Sequence, residues 1–278
     1  MTHDVIVVGG SFAGISAALQ LARARRNIVV VDAGMRRNRF AATSHGFLGQ
    51  DGRPPEQIIA AGRAELLAYP TVTWCEGLAV EAAAVADGFA VTLASGERLV
   101  GKRLVLALGV VDDLPTLPGV AERWGKTVFH CPYCHGYELG GGPIAVLATM
   151  PMSVHHAMLL PDWGPTTYFT QGLFEPDREA RSELERRGTA INTEPVTAIA
   201  GDTGVEVHLR DGRVLAFAGL FLASRIRVST PLAAQLGCEL EDSPMGSYLR
   251  TDMTRETTVR GVFACGDISV GAGAVALA

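Results

Sequence analysis

The stretch DVIVVGGSFAGISAALQLARARRNIVVVDAG, residues 4–34, decides the fold class. It begins with a short apolar run that ends in glycines, continues with apolar residues at helical spacing, and ends in a second apolar run. Strands that are buried on both faces have such continuous apolar runs, and a helical crossover joins them in parallel. The stretch therefore predicts a strand–helix–strand unit within a parallel sheet.

The glycine-rich turn VVGGSFAG lies between the first strand and the helix of this unit. Compared with the pattern G-x-G-x-x-G, Gly9 makes the tight turn, Gly14 allows close helix–strand packing, and Ser11 replaces the middle glycine. Asp32 ends the second strand, where a carboxylate can accept hydrogen bonds from a ribose. A glycine turn alone can be a packing device, but strand, glycines, helix and acid together predict a dinucleotide site.

The same plan occurs a second time further along the chain. Residues 72–109 alternate in period two and predict a β-meander that returns to one more core strand. A Pro/Gly-rich segment at 110–119 breaks the pattern. Residues 143–220 then repeat strand, helix, strand and meander, and a predicted linker at 243–250 leads to GVFACGDIS at 261–269.

These features predict an α/β fold with two Rossmann-like domains of three-layer ββα architecture, the second inserted in the first. The predicted first domain consists of residues 1–116 and 246–278 and holds the dinucleotide. The predicted inserted domain consists of residues 117–245.

The second unit lacks the features of a nucleotide site. Its turn positions hold Ala148, Met150 and Ser153, with no glycine, and Pro151 removes a backbone donor. The segment after its next strand, YFTQGLFEPDREAR, has no arginine cluster for a 2′-phosphate. One working nucleotide site and one degenerate site are expected.

Composition excludes several classes of function. The net charge is −5, the largest basic cluster is RARR at 23–26, and aromatic residues make up 6% of the chain, so nucleic-acid binding is not expected. The N-terminus has no signal-peptide pattern, and no stretch of about 18 apolar residues exists to span a membrane. Five cysteines that include one close pair are typical of a reduced, cytoplasmic protein.

The close pair lies in HCPYCHGYE, residues 130–138. Structural zinc needs four ligands, and His130 and His135 cannot easily join Cys131 and Cys134 around one ion. The haem pattern C-x-x-C-H also matches, but haem attachment requires export. An inert buried pair is a third alternative. A redox dithiol fits best, because a helix N-terminus favours thiolates and His135 can carry the proton that thiol–disulfide exchange moves.

With these motifs in place, the chain resembles the thioredoxin reductase family of flavoproteins over essentially its whole length. The resemblance is carried by VVGGSFAG…VVVDAG, LVLALG…LPTLPG, CPYC and GVFACGDIS. It implies that FAD binds in the first domain, that Asp267 contacts the ribityl chain, and that the protein is a homodimer. It also implies that Cys134 faces the flavin and that Cys131 exchanges with the substrate.

The predicted site residues follow from the motifs and this resemblance. The catalytic residues are Cys131, Cys134 and His135. The FAD-binding residues are Gly9, Ser11, Phe12, Ala13, Gly14, Asp32, Ala33, Asn38, His45, Val80, Ala107, Gly109, Gly266, Asp267, Val275 and Ala276.

Five further residues have open or structural assignments. His45 is either a flavin contact or a solvated turn residue, and Asn38 is either a phosphate contact or a turn former. His155 and His156 are expected to be structural. Glu138 is expected to serve the first turn of its helix, although it is able to orient His135.

CPYCHGYE together with SHGFLGQDG is similar to the thioredoxin reductase-like branch that includes dithiol oxidases of natural-product pathways. In that branch a histidine follows the second cysteine, and the pyridine-nucleotide site is not functional. We therefore expect an FAD-dependent thiol–disulfide oxidoreductase that does not use NAD(P)H directly. Its substrate would be a small dithiol or disulfide, or a thioredoxin-like protein. The alternatives are an NAD(P)H-dependent thioredoxin reductase and a non-catalytic FAD-binding redox sensor.

Overall fold

A computed structural model describes residues 2–228 and 230–270. The strands in these ranges are, in chain order, β1 (Thr2–Val8), β2 (Ile28–Asp32), β3 (Val72–Glu76), β4 (Ala79–Val85), β5 (Gly88–Leu93), β6 (Arg98–Leu106), β7 (Val111–Asp113), β8 (Val128–Phe129), β9 (Ile144–Leu147), β10 (Thr166–Phe169), β11 (Ala190–Asn192), β12 (Val196–Ala200), β13 (Val205–Leu209), β14 (Val214–Phe217), β15 (Gly219–Leu222), β16 (Arg225–Arg227), β17 (Leu240–Ser243), β18 (Gly246–Leu249) and β19 (Val262–Ala264). The helices are α1 (Phe12–Arg23), α2 (Pro55–Leu67), α3 (Val120–Arg123), α4 (Pro132–His135), α5 (Ser153–Leu159), α6 (Arg178–Arg186), α7 (Leu232–Leu236) and α8 (Asp267–Val270), with short 3-10 helices at Tyr137–Leu139 and Leu160–Asp162. Across the described ranges, no helix is long and apolar enough to cross a membrane.

The first sheet contains seven strands in the order β3-β2-β1-β6-β5-β4, and β19 also pairs with β6. Strands β1 and β2 are parallel and are joined by α1. Val5 and Val7 pack in the core cluster that includes residues of α1 and α2, whereas Ile6 and Val8 pack in the cluster on the other face. This alternation buries both faces of β1, so the predicted strand–helix–strand unit is confirmed.

The meander of this sheet is shorter than the sequence predicts. Residues 72–76 form β3, which lies parallel to β2 at the edge of the sheet, and only β4, β5 and β6 form the antiparallel meander. The predicted meander over residues 72–109 is therefore wrong for residues 72–76, which pair with β2. Side-chain alternation shows that a segment is a strand but does not show which strand it pairs with.

The second unit repeats this architecture. Its five-stranded parallel sheet has the order β11-β10-β9-β15-β8, and β12, β13 and β14 form a separate antiparallel meander. The central strand β9 is buried along its whole length, and apolar clusters cover both faces of the sheet. The fold is thus α/β with two Rossmann-like, three-layer units, as the sequence predicts.

The predicted linker at 243–250 is wrong. Strands β17 and β18 form a hairpin there, and this hairpin belongs to a four-stranded sheet in the order β17-β18-β16-β7. Most residues of β17 are exposed, so the segment carries no apolar alternation that would reveal a strand. In this sheet β7, which precedes the second unit, lies antiparallel to β16, which follows it. The exact domain limits stay a prediction.

Candidate active site

The turn after β1 is packed so closely that Gly9 and Gly14 have no room for a side chain. Gly9 has a φ of +111°, and a Cβ there would overlap the carbonyl oxygen of Ala107. A Cβ on Gly14, in the first turn of α1, would overlap the carbonyl oxygen of Gly9. Ser11 is the N-cap of α1 and its side chain makes no capping hydrogen bond. The turn therefore has the closely packed backbone that a pyrophosphate site requires.

Asp32 lies where a ribose would be recognised. It ends β2, and its Oδ1 accepts a hydrogen bond of 3.2 Å from the backbone N–H of Gly10. A cleft of about 580 Å³ opens beside it, lined in part by Ala33, Met35 and Trp74. A carboxylate at the end of the second strand, with an open cleft beside it, fits the adenosine half of a dinucleotide.

The motif near the end of the described chain packs against the same turn. A Cβ on Gly266, whose φ is +74°, would lie 2.7 Å from the Cβ of Ala13. The thiol of Cys265 lies 3.8 Å from the carbonyl oxygen of Ala13, and Phe12 begins α1. The structure thus brings GVFACGDIS to the N-terminus of α1, as a shared FAD site requires.

The structure provides less support for the remaining predicted FAD-binding residues. The carbonyl of Asn38 accepts a turn hydrogen bond from Ala41, which matches the turn-former alternative. Gly109 follows β6 with a φ of +67°, and Val80 lies in β4 with its side chain partly exposed. Val275 and Ala276 lie outside the described residues.

A partly buried charge network that the sequence did not reveal lies between the two units. The Arg37 guanidinium donates to both carboxylate oxygens of Asp112, at 2.8 and 2.6 Å, and to Asp267, at 2.8 Å. The hydroxyl of Ser224 donates to Asp112 at 2.7 Å. Burial alone would raise the pKa of Asp112, but the bonds from Arg37 and Ser224 lower it below its ordinary value. The only feature of the sequence that indicates such a network is the arginine-rich segment RRNR at 36–39.

His130, next to Cys131, faces this network. Burial lowers the pKa of its imidazole and the positive charge of Arg37 lowers it further, whereas Asp112 and Asp267 oppose the shift. Its Nδ1 is buried and has no hydrogen-bond partner within the described part of the chain. The sequence predicts no role for His130 beyond a possible metal ligand and does not indicate its proximity to these charges.

Cys131 and Cys134 form a disulfide. Cys131 is the N-cap of α4, whose four residues include Cys134, and the backbone N–H of Cys134 donates to the Cys131 carbonyl at 3.3 Å. The predicted helical placement is confirmed, although the helix is one turn long and its dipole is correspondingly small. Tyr133, between the cysteines, is 72% exposed and meets the ring of Trp163 edge-on, so the disulfide lies at an aromatic surface.

His135, the predicted acid–base group, stacks on an aromatic ring. Its imidazole lies 4.4 Å from the Phe129 ring centroid with an interplanar angle of 24°, and Phe129 in turn packs on Phe221. Burial lowers the pKa of His135, the Glu138 carboxylate opposes this shift, and His45 adds to it. A histidine in this environment is neutral near pH 7 and can accept a proton.

His45 and Glu138 are brought together by the fold. His45 Nε2 lies 3.3 Å from Glu138 Oε1, across the gap between the loop after β2 and the segment after α4. The sequence predicts a flavin contact or a solvated turn for His45, and for Glu138 a role in the first turn of its own helix. Neither SHGFLGQDG nor CPYCHGYE indicates this contact, because it joins residues that are far apart in the sequence.

The turn after β9 is closed by its own side chain. Ser153 is fully buried, and its Oγ accepts hydrogen bonds from the backbone N–H groups of Thr149 and Met150, at 3.0 and 3.3 Å. The hydroxyl of Thr149 donates to the Ala223 carbonyl. At the equivalent place in a working nucleotide site, free backbone N–H groups face the pyrophosphate.

Comparison with known proteins agrees with this geometry. Residues 3–278 match the family model described as pyridine nucleotide-disulphide oxidoreductase. The chain is 32% identical to thioredoxin reductase tcpT of Claviceps purpurea, over 95% of this chain and 86% of that protein. It is also 32% identical to thioredoxin reductase sirT of Leptosphaeria maculans, over 96% of this chain and 87% of that protein.

Solved structures show the same fold. The oxidoreductase from Agrobacterium tumefaciens has a TM-score of 0.96 and 52% identity, with 100% of this chain and 93% of that chain covered. HlmI has a TM-score of 0.90 and 36% identity, with 99% and 87% covered. Both likenesses extend over the glycine turn, the disulfide segment and the final motif.

Proposed function

The chain belongs to the pyridine nucleotide-disulphide oxidoreductase family, and we propose that it exchanges electrons with a dithiol or disulfide substrate through Cys131 and Cys134 without using NAD(P)H directly. It is a thioredoxin reductase-like flavin oxidoreductase that acts on sulfur groups, and its cofactor is FAD. The electron partner and the substrate are the parts that this proposal adds.

The residues near the first turn fit FAD. The backbone at Gly9 and Gly14 is packed too closely for a side chain, as in the glycine turn of a pyrophosphate site, and Asp32 supplies an acceptor beside an open cleft. Asp267 and Gly266 complete the site from the last motif. When bound, FAD supplies a two-electron acceptor or donor for the dithiol pair.

The exchange chemistry is carried by the chain itself. A substrate thiolate attacks the sulfur of Cys131, the Cys131–Cys134 bond breaks, and Cys134 leaves as a thiolate. The second substrate thiol then attacks the mixed disulfide, so that the substrate is oxidised to a disulfide and both cysteines are reduced. His135 accepts a proton released by the substrate thiols, and the reverse sequence reduces a disulfide substrate.

One observation carries the proposal that NAD(P)H is not used. The N–H groups of Thr149 and Met150, at the turn where a second nucleotide would bind, are already bound to the buried hydroxyl of Ser153. A pyrophosphate would have to break these bonds and would meet the buried side chain of Met150. The loss of two satisfied hydrogen bonds in a buried site opposes nucleotide binding.

A second function is favoured by the relatives, which are named thioredoxin reductases. It is an NAD(P)H-dependent reductase in which the turn after β9 rearranges on binding. A homodimer, a cytoplasmic location and the choice between a small dithiol and a thioredoxin-like protein stay predictions.

Mass spectrometry of trapped cysteines tests the proposed exchange. Wild type is treated anaerobically with an excess of a small dithiol and then alkylated, and it should gain two alkylated residues, Cys131 and Cys134. Cys134→Ser has no disulfide to open, so it is treated instead with the disulfide form of the same compound. Its Cys131 thiolate should attack that disulfide, release one thiolate and retain the compound as a mixed disulfide. Alkylation only at Cys75, Cys238 or Cys265, or an adduct on none of the pair, would contradict the proposal.

A further inference from the structure

The loop of residues 43–53, between β2 and α2, is closed by its own hydrogen bonds. The N–H of Ser44 donates to the carbonyl of Arg53, and the N–H of Gly52 donates to the carbonyl of Ser44, each at 2.9 Å. Within the loop, Asp51 accepts a bond of 2.8 Å from the N–H of Gly46. These bonds fix the loop as a defined structure that can hold a side chain in place.

His45 projects from this closed loop and is flanked by two carboxylates. Its Nδ1 lies 3.6 Å from Asp51 on the same loop, and its Nε2 lies 3.3 Å from Glu138 in the other unit. Nε2 also lies 3.0 Å from the Thr43 hydroxyl. The imidazole of His45 therefore lies between a carboxylate of its own loop and a carboxylate of the disulfide segment.

The loop is also anchored to the dinucleotide turn. The ring of Phe47 meets the ring of Phe12 edge-on, with 6.4 Å between centroids, and Phe12 is the first residue of α1. The loop therefore contacts the start of the nucleotide-binding helix at Phe47 and the disulfide segment at His45. It forms a physical link between the two sites.

Glu138 carries this link to the predicted acid–base residue. It follows His135 by three residues, in the 3-10 helix that continues from α4. Residues three apart lie on the same face of a helical segment. The groups that act on the charge of His135 are thus Glu138, from its own segment, and His45, from the 43–53 loop, while Phe129 supplies an uncharged surface.

We propose that His45 and Glu138 are a pair of positioning residues for the thiol–disulfide step, holding the disulfide segment against the 43–53 loop and setting the charge around His135. This inference rests on the proposed function, because it assigns His135 a role in that step. In this arrangement Glu138 stabilises the protonated form of His135 and His45 opposes it. The protonation of His135 therefore depends on both Glu138 and His45.

The direction in which each residue shifts the pKa of His135 distinguishes this electrostatic role from a purely structural one. Burial lowers the pKa of His135, Glu138 raises it and protonated His45 lowers it further. Substitution of Glu138 and of His45 should therefore move the titration of His135 in opposite directions. A contact that only held the loop in place would shift it in neither direction, or in the same direction for both.

Histidine NMR on the oxidised holoenzyme tests the pair. The pKa of His135 is measured with 13C-labelled histidine, and its signal is identified by its loss in His135→Gln. Glu138→Gln should lower the midpoint and His45→Gln should raise it, each by roughly 0.4 pH unit, the size expected for a neighbouring charge that solvent partly screens. His45→Asn is measured as well, so that the result does not depend on one variant.

A matched control is available in the same chain. Glu206→Gln removes a second histidine–glutamate contact, where His208 Nε2 lies 3.7 Å from Glu206 on β13, and it should leave the midpoint of His135 unchanged. A shift in this control of the size seen for Glu138→Gln would overturn the proposal.

The proposal also fails if neither Glu138→Gln nor the His45 variants move the midpoint, or if both move it in one direction. Because the measurement uses oxidised protein without turnover, it remains valid if no dithiol reduces the disulfide. A failure of every dithiol to reduce the disulfide would contradict the proposed function, but it would not contradict the roles proposed for His45 and Glu138. In the active enzyme, the pH profile of dithiol oxidation should shift by the same amount and sign as the NMR midpoint.

Discussion

Arg37 and Asp112 form a bidentate ion pair between the loop after β2 and strand β7, with bond lengths of 2.8 and 2.6 Å. The Asp112 side chain is only 7% exposed, and the same guanidinium also binds Asp267. The pair therefore fixes the residue predicted to contact the flavin. Such a contact is strong, because bidentate arginine–carboxylate geometry is combined with a buried carboxylate.

Removing Arg37 should destabilise the protein strongly. Arg37→Met leaves a buried carboxylate without its partner, which should lower the free energy of unfolding by about 3 kcal/mol near pH 7. The lowered pKa of Asp112 means that the contribution of the pair is present above the unfolded-state pKa and is lost as the pH falls through the folded-state pKa. The deficit of the variant should therefore shrink in acid. Urea unfolding at several pH values measures it.

The neighbouring pair provides a matched control. Arg227 of β16 donates at 2.8 Å to Asp113 of β7, which follows Asp112, but both side chains are more than half exposed. Arg227→Met should cost less than about 1 kcal/mol, because exposed ion pairs contribute little. Equal losses for the two variants would show that burial of the Arg37 pair does not matter.

The glycine turn should tolerate no added methyl group at Gly14. Its Cβ would overlap the carbonyl oxygen of Gly9, so Gly14→Ala should lower the stability of the holoenzyme by about 2–3 kcal/mol through overpacking and should reduce its FAD content. Gly62→Ala in α2 is the control, since its Cβ would meet only the Ile15 side chain, at 3.3 Å. The measurements that test this prediction are the flavin-to-protein ratio and the urea midpoint of both variants. Full FAD content in Gly14→Ala would contradict the assigned site.

Buried His156 should make the protein sensitive to mild acid. Burial lowers the pKa of His156 to about 4, and His130 and His155 add to the shift. Because the unfolded chain takes up this proton near pH 6.5, stability should fall as the pH drops from about 6.5 to 4, by up to about 3 kcal/mol. His156→Leu should flatten the pH dependence in this window, whereas His155→Gln, at an exposed position, should change it far less. A wild-type stability that is constant across this range would refute the prediction.

Ser153 should act as a structural cap and not as a nucleotide ligand. Ser153→Ala removes the acceptor of two backbone N–H groups, which should cost about 1–3 kcal/mol in unfolding free energy. It should not create a response of the flavin spectrum to NADPH. The exposed Ser247, which donates to Asp242, provides the control as Ser247→Ala and should cost far less. Unchanged stability in Ser153→Ala would mean that the turn is already open.

The parts of the fold that were predicted correctly depend on local patterns. Apolar runs and helical spacing determine the unit formed by β1, α1 and β2, and CPYC is a contiguous motif. The hairpin of β17 and β18 was missed because its exposed residues carry no alternation. The pairing of β3 with β2 was missed because alternation does not name a partner.

The parts of the site that were missed depend on contacts between distant residues. Asp112 and Asp267 lie 75 and 230 residues from Arg37 in the sequence, and only the fold brings them together. The contact between His45 and Glu138 has the same origin. The replacement of glycine by Ser153 was visible in the sequence, but its hydrogen bonds to Thr149 and Met150 require the backbone geometry of the turn.

The most direct test of the central claim is an anaerobic titration of the purified holoenzyme, followed through the visible absorption of its flavin. NADPH is added first, then NADH, then a small dithiol. The closed turn at Ser153 predicts that neither nucleotide changes the spectrum and that the dithiol bleaches the flavin band in the wild type but not in Cys131→Ser. Prompt bleaching by one equivalent of NADPH would contradict this account and would identify the protein as an NAD(P)H-dependent reductase.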